Sequence, residues 1–298
     1  MKLYNDYSSY LEDKYGCTVY RIGLDAGFSC PSRCLYCNAN GSRATYTDPA
    51  KSVAVQLAER IDYLKKSGKG SKFIAYFQAF TNTYAPAREL KKAYDEVLDF
   101  KDIVGIAIGT RPDTVDRDKI MLIASYGQRY DMWIEYGLQS ANDGTLKLIN
   151  RGHSFNDFVE AVRLAKEFDI SVSAHVILGL PGEARDDVIN TAERLAALNT
   201  EGVKIHPLHI LKGSPMENRY REGKIRLMEQ DEYVDSVCDF LERLPPSTVI
   251  QRLTGQGVRA EHVAPGWACD KTGTIKKIDE EMKRRNTRQG RLYPGSVL

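Results

Sequence analysis

Three thiols within eight residues set the chemistry this chain can do. Cys30-Pro-Ser-Arg-Cys34-Leu-Tyr-Cys37 has the spacing C-x3-C-x2-C and directly follows an apolar, strand-like run. Thiolates held so closely can all face one centre, and soft sulfur ligands select iron–sulfur clusters, zinc or Cu(I) over hard cations. Their number separates the options. Structural zinc takes four closed ligands, so a zinc site here needs completion by Cys17 or a histidine. A cubane cluster held by three cysteines leaves one iron open to bind something else. The plain alternative is three core cysteines brought together by chance. A disulfide framework fails, because three clustered thiols cannot all pair. The other cysteines stand apart: Cys238 lies among Tyr233, Val234, Val237 and Leu241 at helical spacing and reads as core, while Cys17 and Cys269 carry no assignment.

The 298 residues are 42% hydrophobic and 28% charged, the composition of a globular chain with ample material for a core. The net charge of +2 means that any nucleic-acid partner must be recognised by local patches. The first ten residues hold no apolar signal-like segment, and no run of about 18 apolar residues occurs. A cytoplasmic protein without membrane contact is expected.

Strand and helix patterns alternate along the chain. Val19–Leu24 reads as a strand delivering the chain into the cysteine loop. Asp48 as N-cap, Pro49 at the first helical position and Val53, Leu57, Ile61 and Leu64 on one face predict a helix stopped by Ser67-Gly68. Further strands are predicted at Phe73–Phe80, Ile103–Ile108, Met132–Leu138, Ile170–Leu178 and Val203–Leu211. Between them lie helices opening at Pro86, at Asp116, at Phe155 behind a Ser154/Asp157 capping box, and around Val188, Ala192 and Leu195. Six such units predict a parallel sheet with right-handed crossovers, filling residues 1–214. Residues 215–298 form an extension packed on that core: a short helix near Pro215, an amphipathic helix over Asp231–Leu244, a strand over Thr248–Leu253 and a basic tail. Residues 270–291 of this tail hold eight Lys or Arg against four acids, which reads either as a phosphate-binding surface or as the solvated face of a packed helix.

In parallel α/β folds ligands sit at the C-terminal ends of the strands, and the unusual residues cluster there: the cysteine loop, Gln78 to Tyr84, Gly109 to Asp113, Gln139-Ser140, Gly179 to Glu183, and Lys212 to Ser214. Alternation then sorts the faces. Ile170, Val172, Ala174 and Val176 make an apolar row against helices, leaving Ser171, Ser173 and His175 to face inward, with a hydrogen-bonded structural His175 as the alternative. By the same parity Glu135 and Gln139 face inward, and a buried Glu135 must find a cationic or hydroxyl partner.

The run Ala75-Tyr76-Phe77-Gln78-Ala79-Phe80-Thr81-Asn82-Thr83-Tyr84-Ala85-Pro86 resembles the strand-two signature of YhcC/YtqA-type radical S-adenosylmethionine (SAM) proteins, which are similar to the catalytic subunit of Elongator. Thr110-Arg111-Pro112-Asp113, Gly137-Leu138-Gln139-Ser140, Arg151-Gly152-His153, His175 to Glu183 and Thr287 to Gly290 resemble further segments of that family, in order along the chain. One departure is the short Pro31-Ser32-Arg33 spacer, where the family has a longer insertion. The resemblance implies an α/β fold, a partial (β/α)6 TIM-type barrel with a C-terminal extension, in which Cys30, Cys34 and Cys37 bind a 4Fe-4S cluster that chelates SAM. One electron from a donor such as flavodoxin or ferredoxin would yield a 5′-deoxyadenosyl radical. It further implies SAM contacts from Gln78 and Thr81, where related enzymes carry an acid, and from Glu135, Gln139, Ser140, Gly179 and Gly182. Gly179 and Gly182 also suit an ordinary strand-to-helix turn. Arg111 is expected on the SAM carboxylate or in a salt bridge, and Arg111 and His175 are the catalytic candidates. The implied substrate is tRNA, at a wobble-uridine side chain; the alternatives are a small molecule or peptide, or a zinc-stabilised binding protein.

Overall fold

The structure is a computed structural model describing residues 2–41, 43–255 and 259–295. Its first helix, α1 (Tyr7–Tyr15), begins where Asp6 accepts from the Ser9 amide at 3.1 Å and ends at Gly16 with φ +67°. There follow β1 (Val19–Leu24), α2 (Val53–Lys66), β2 (Lys72–Phe77), α3 (Ala87–Asp95), β3 (Ile103–Thr110), α4 (Arg117–Ser125) and β4 (Asp131–Gln139). The second half runs α5 (Asp143–Leu148), α6 (Phe155–Lys166), β5 (Ser171–Leu178), α7 (Arg185–Ala197), β6 (Gly202–Pro207) and β7 (Ile210–Leu211). It closes with α8 (Pro215–Arg221), α9 (Gln230–Arg243), β8 (Val249–Arg252), β9 (His262–Ala264) and α10 (Lys271–Arg284).

The strands β1-β2-β3-β4-β5-β6-β8 lie side by side in that order, every pair parallel. The sheet curls into a half-barrel. Six strands were expected in the core, and the C-terminal extension supplies a seventh by laying β8 along β6. Outward side chains such as Ile106, Ile134, Val172 and Val203 pack against the helices in one continuous apolar core. The inner face is different: its lower end is plugged by Trp133, Tyr76, Leu11 and Val249, with the Tyr10 ring edge-on to Trp133 at 6.1 Å. Helix α1, which periodicity did not reveal, therefore acts as a stopper. It lies over the seam between the edge strands β1 and β8, where Arg21 Nη1 donates to Gln251 Oε1 at 3.4 Å and the Ile250 amide donates to Asn5 O at 2.8 Å.

Three boundaries differ from expectation. The helix predicted from Pro49 starts at Val53, because Asp48 accepts from Ala50 N at 2.9 Å in an Asx turn and Ser52 is the cap that accepts from Val55 N at 3.3 Å. Strand two stops at Phe77 and Phe80 turns to φ 59°, since the buried Asn82 amide draws the chain back onto Phe77 O, Ala79 O and Gly109 O at 2.8–3.0 Å. Strand six ends at Pro207, and Ile210–Leu211 leaves to pair antiparallel with β9.

The basic tail is fastened down. Ile278 and Met282 of α10 are buried against α9, and Arg285 bonds Asp235, Asp239 and Glu281 at 2.6–2.8 Å. Arg284 pairs with Glu281 and Lys277 with Asp231. Beyond the helix, Gln289 Nε2 donates to Pro245 O and Thr248 O at 2.6 and 2.8 Å. The run is thus a packed helix whose pairs take up Lys276, Lys277, Arg284 and Arg285, while Lys271, Lys283, Arg288 and Arg291 are exposed and, among the described residues, in no ion pair. Among the described residues no helix is long and apolar enough to cross a membrane.

Leu11→Ala should destabilise the fold by about 2–5 kcal/mol, the usual cost of truncating a buried leucine. Denaturant unfolding followed by the fluorescence of Trp133 and Trp267 checks it; an unchanged midpoint would mean that α1 is not part of the cooperative core.

Candidate active site

The cysteine loop leaves β1 at the open, C-terminal end of the half-barrel. It has its own foundation, because Leu35 and Tyr36 pack on a second apolar cluster of Leu146, Ile149, Leu180, Leu208, Ile210 and Met216. Backbone bonds stitch it to three elements: Leu35 N donates to Ile149 O at 3.0 Å, Met216 N to Leu35 O at 2.9 Å, and Asn150 Nδ2 to Arg33 O at 2.8 Å. Cys30 is exposed, Cys34 buried and Cys37 half-buried. Two donors face their sulfurs: Thr81 Oγ1 reaches Cys30 Sγ at 3.0 Å, and the buried Arg151 guanidinium reaches Cys34 Sγ at 3.3 Å. Burial, then the neighbouring Cys34 and Cys30, push the Cys37 thiol up to about 12.

Among the described residues no three His, Cys, Asp or Glu side chains are drawn into a ready-made metal cage. The donor chemistry nonetheless suits an iron–sulfur cluster. Three soft ligands lie on one short loop, a hydroxyl and a guanidinium are aimed at two sulfurs, and thiolates bearing such donors are stabilised in the charged form that binds metal. Cys17 is distant in sequence on the α1–β1 turn, and Cys238 is sealed between α9 and Ile278 O, so neither adds a fourth ligand from that loop.

Around this loop the strand ends converge as the sequence predicts. Gln78 directly follows β2, its amide donating to Leu24 O at 3.1 Å, and its side-chain oxygen presses so near Gly23 that a Cβ there would meet it at 2.7 Å. Arg111 is buried and already engaged: it donates to both Asp113 oxygens at 2.9 and 2.8 Å and to Ser32 Oγ of the cysteine loop at 2.8 Å. Gln139 closes β4 at φ +78°. Ser140 donates to Glu183 Oε1. Gly179 and Gly182 both sit at φ +84°, a conformation that favours glycine. Burial, reinforced by Asp187 and opposed by Ser140 and Thr145, raises the Glu183 carboxyl to about 7.

Deeper in the barrel, Glu135 lies at the centre of a charge network. It is fully sealed and accepts from Arg21 Nη2 at 2.6 Å, from His175 Nε2 at 3.0 Å, and from Lys204. Lys204 also donates to Tyr76 OH at 3.3 Å, while the Arg21 guanidinium stacks 3.8 Å above the Tyr76 ring. Burial alone would raise the Glu135 carboxyl, but Arg21 and Lys204 hold it well below the usual range. Burial and then Lys204 push the His175 imidazole down to about 4, so it is neutral at pH 7. The inward parity assigned to Glu135 and His175 is the geometry found.

Sequence reasoning passed over Arg21, Lys204 and Arg151. The first two carried a usable signal: each is a lone cation inside a strand, on the row that parity sends inward. Arg151 stood out only as part of the family-like Arg151-Gly152-His153 segment with no role attached, since its role depends on folding back to hold Gly137 O through two nitrogens at 2.9 and 2.6 Å while its third reaches Cys34.

A curled parallel half-barrel with a three-thiol loop at the mouth of its first strand defines a class, enzymes that use a cluster beside a strand-end cofactor site. The Radical SAM superfamily model matches residues 15–195 and the Radical_SAM C-terminal domain model residues 200–284. The chain belongs to the radical SAM superfamily, within the family of YtqA and YhcC. It is 38% identical over 300 residues to the uncharacterized protein YtqA of Bacillus subtilis, covering 98% of this chain and 93% of that one. It is 24% identical over 260 residues to a tRNA uridine(34) acetyltransferase of Dehalococcoides mccartyi, covering 75% of this chain and 56% of that one. In fold it resembles the archaeal Methanocaldococcus infernus Elp3, with a TM-score of 0.69 at 19% identity, over 91% of this chain but only 64% of that chain. The cofactors of this enzyme family are a 4Fe-4S cluster and SAM.

Cys30→Ala, Cys34→Ala and Cys37→Ala should each lose most of the iron bound on anaerobic reconstitution, whereas Cys17→Ala, Cys238→Ala and Cys269→Ala should keep it; iron and sulfide analysis checks this. Glu183, with its folded value raised to about 7 from an ordinary 4.5, favours the fold while protonated. Its contribution is complete below pH 4.5 and falls away as pH rises to about 7. Glu183→Gln should therefore flatten the decline of melting temperature across that window.

Proposed function

We propose that this radical SAM enzyme acts on tRNA, modifying the side chain of the wobble uridine, with its cluster on Cys30, Cys34 and Cys37. The observation that carries the reading is the match, over three quarters of the chain, to an enzyme named for uridine 34 of tRNA. The Elp3-like course of the barrel is consistent with it.

When bound, the cluster supplies the electron that splits SAM into methionine and a 5′-deoxyadenosyl radical. The chain's own residues do the rest. Thr81 and Arg151 steady the cysteine sulfurs through the bonds described above. SAM is assigned to the rim: Gln78 and Gln139 offer amide groups, Ser140 is held in place by Glu183, and Gly179 and Gly182 offer backbone groups in the turn after β5. Arg111, fixed by Asp113 and Ser32, presents its guanidinium beside the cysteine loop. Glu135 has both oxygens engaged by three donors, so it serves this site through His175, which it orients from below. The plugged lower end limits entry to the strand-end mouth, which suits a reactive radical kept from bulk solvent.

A uridine must be turned out of its stack to enter such a mouth, and cations are needed there for the flanking phosphates. Arg33, Lys212 and Arg219 are exposed and, among the described residues, in no ion pair; the bond from Met216 N to Leu35 O ties α8, which carries Arg219, to the cysteine loop. This rim joins the C-terminal run, whose Lys271, Lys283, Arg288 and Arg291 are likewise exposed and unpaired among the described residues, as an expected phosphate contact. An electron donor of the flavodoxin or ferredoxin kind would approach the exposed Cys30 side.

Nucleoside mass spectrometry of tRNA from a deletion strain tests the reading. One modified wobble uridine should disappear, return with the intact gene and not return with Cys34→Ala. An unchanged nucleoside profile would overturn the tRNA assignment and leave a small-molecule or peptide substrate.

A further inference from the structure

The charges inside the barrel do not balance. Below the cysteine loop the inner face carries Arg21, Lys204 and Arg252 against one carboxylate, Glu135. Glu135 is occupied by Arg21, Lys204 and His175. Arg252 is the register partner of Lys204 on the neighbouring strand, so both side chains leave the sheet on the same face. A register shift beside Lys204 also lets Gln251 contribute to the interior, a common device near functional sites. Among the described residues no hydrogen bond or ion pair engages the Arg252 guanidinium, although the charges acting on it, Tyr76, Arg21 and Glu135, are those of the barrel interior.

Donors are idle around the same space. Arg21 Nε, Ser173 Oγ and Gln251 Nε2 are buried without a partner. The last two lie 3.2 and 3.1 Å from the position a Cβ would take on Gly202, so they face one another across the missing side chain. Arg21, His175, His206 and Arg252 each keep partial contact with solvent, whereas Glu135 and Lys204 are sealed. The cations therefore line a space that solvent can enter. Both imidazoles there are held below their usual values by burial first, so neither adds charge at pH 7.

An unpaired, largely enclosed cation and several unsatisfied buried donors are costly unless something else completes them. Arg21 Nε, Gln251 Nε2 and the Arg252 guanidinium can only donate, and Arg252 carries charge, so the group that best completes them is an acceptor bearing negative charge. The planar fork of the Arg252 guanidinium suits two oxygens of one anion. We propose that this interior is an oxyanion subsite, holding a carboxylate or phosphate carried by the substrate against the Arg252 guanidinium, with Gln251 and the Nε of Arg21 as further donors. It goes beyond the tRNA assignment and does not depend on it, since it rests on side chains inside the barrel rather than on the rim.

The test uses the full chain, anaerobically purified with its cluster, titrated by calorimetry with malonate or inorganic phosphate at constant ionic strength. Saturable binding of one of them is expected, malonate pointing to a carboxylate and phosphate to a phosphoryl group. Arg252→Met should weaken it by roughly tenfold or more, the scale of one charged hydrogen bond, and Arg252→Lys should recover part of the loss. In anion-free buffer Arg252→Met should melt no lower than the parent, because it removes a half-buried charge that has no partner among the described residues. Absence of saturable binding by either anion, binding untouched by Arg252→Met, or a large fall in melting temperature of that variant would each overturn the proposal. Loss of a tRNA nucleoside in the deletion strain would be unaffected by these results, so the two readings fail separately.

Discussion

The interior of this half-barrel depends on one sealed carboxylate. Removing Glu135 from water carries a penalty of several kcal/mol, which only close, well-directed partners offset. Those partners come from three different strands: Arg21 from β1, His175 from β5 and Lys204 from β6. A contact that ties the first strand to the fourth and sixth fixes how far the sheet curls. Removing Arg21 or Lys204 would leave the sealed carboxylate under-compensated, so the network also favours a single arrangement of the barrel wall. Tyr76 joins it by stacking beneath Arg21 and accepting from Lys204.

Above that layer the architecture changes from charge to backbone geometry. The strand-end loops are held by polar side chains that cap carbonyl groups, as Asn82 does behind β2 and Arg151 behind β4. The cysteine loop rests on its own apolar cluster and borrows hydrogen bonds from α8 and from the turn after α5. Its sulfurs thus approach a rim whose other members are already positioned. A site needing thiolates, a second cofactor and a substrate in one mouth is well served by loops on a rigid sheet.

The C-terminal segment is integral to this arrangement. It supplies β8, which carries Gln251 and Arg252 to the barrel interior, and α9 and α10, which cover the outer helices. Arg285 clamps the last two helices through three acids, and Gln289 returns the chain to Asn5 at the N-terminal end. The two ends of the chain meet over the seam that the sheet itself leaves open. Closure there is achieved by side chains and α1 rather than by an eighth strand.

The sequence by itself determined the ligand chemistry and the alternation of strands and helices in the core. Cys30, Cys34 and Cys37 are near neighbours in the chain, so their ligand set is local information. The alternation of Ser171, Ser173 and His175 with Val172 and Ala174 followed from the two-residue period of a strand, and the Ser154/Asp157 box from helix-end amides. The start of α2 was misjudged because two competent caps, Asp48 and Ser52, lie four residues apart, and the tie is broken by the turn that Asp48 makes. Tertiary structure alone decided the rest. The partners of Glu135 lie 114, 40 and 69 residues away, Arg151 reaches 117 residues back to Cys34, and β8 joins β6 across two intervening helices. Such contacts follow from which strands become neighbours and how tightly the sheet curls, and no local period in the chain encodes either.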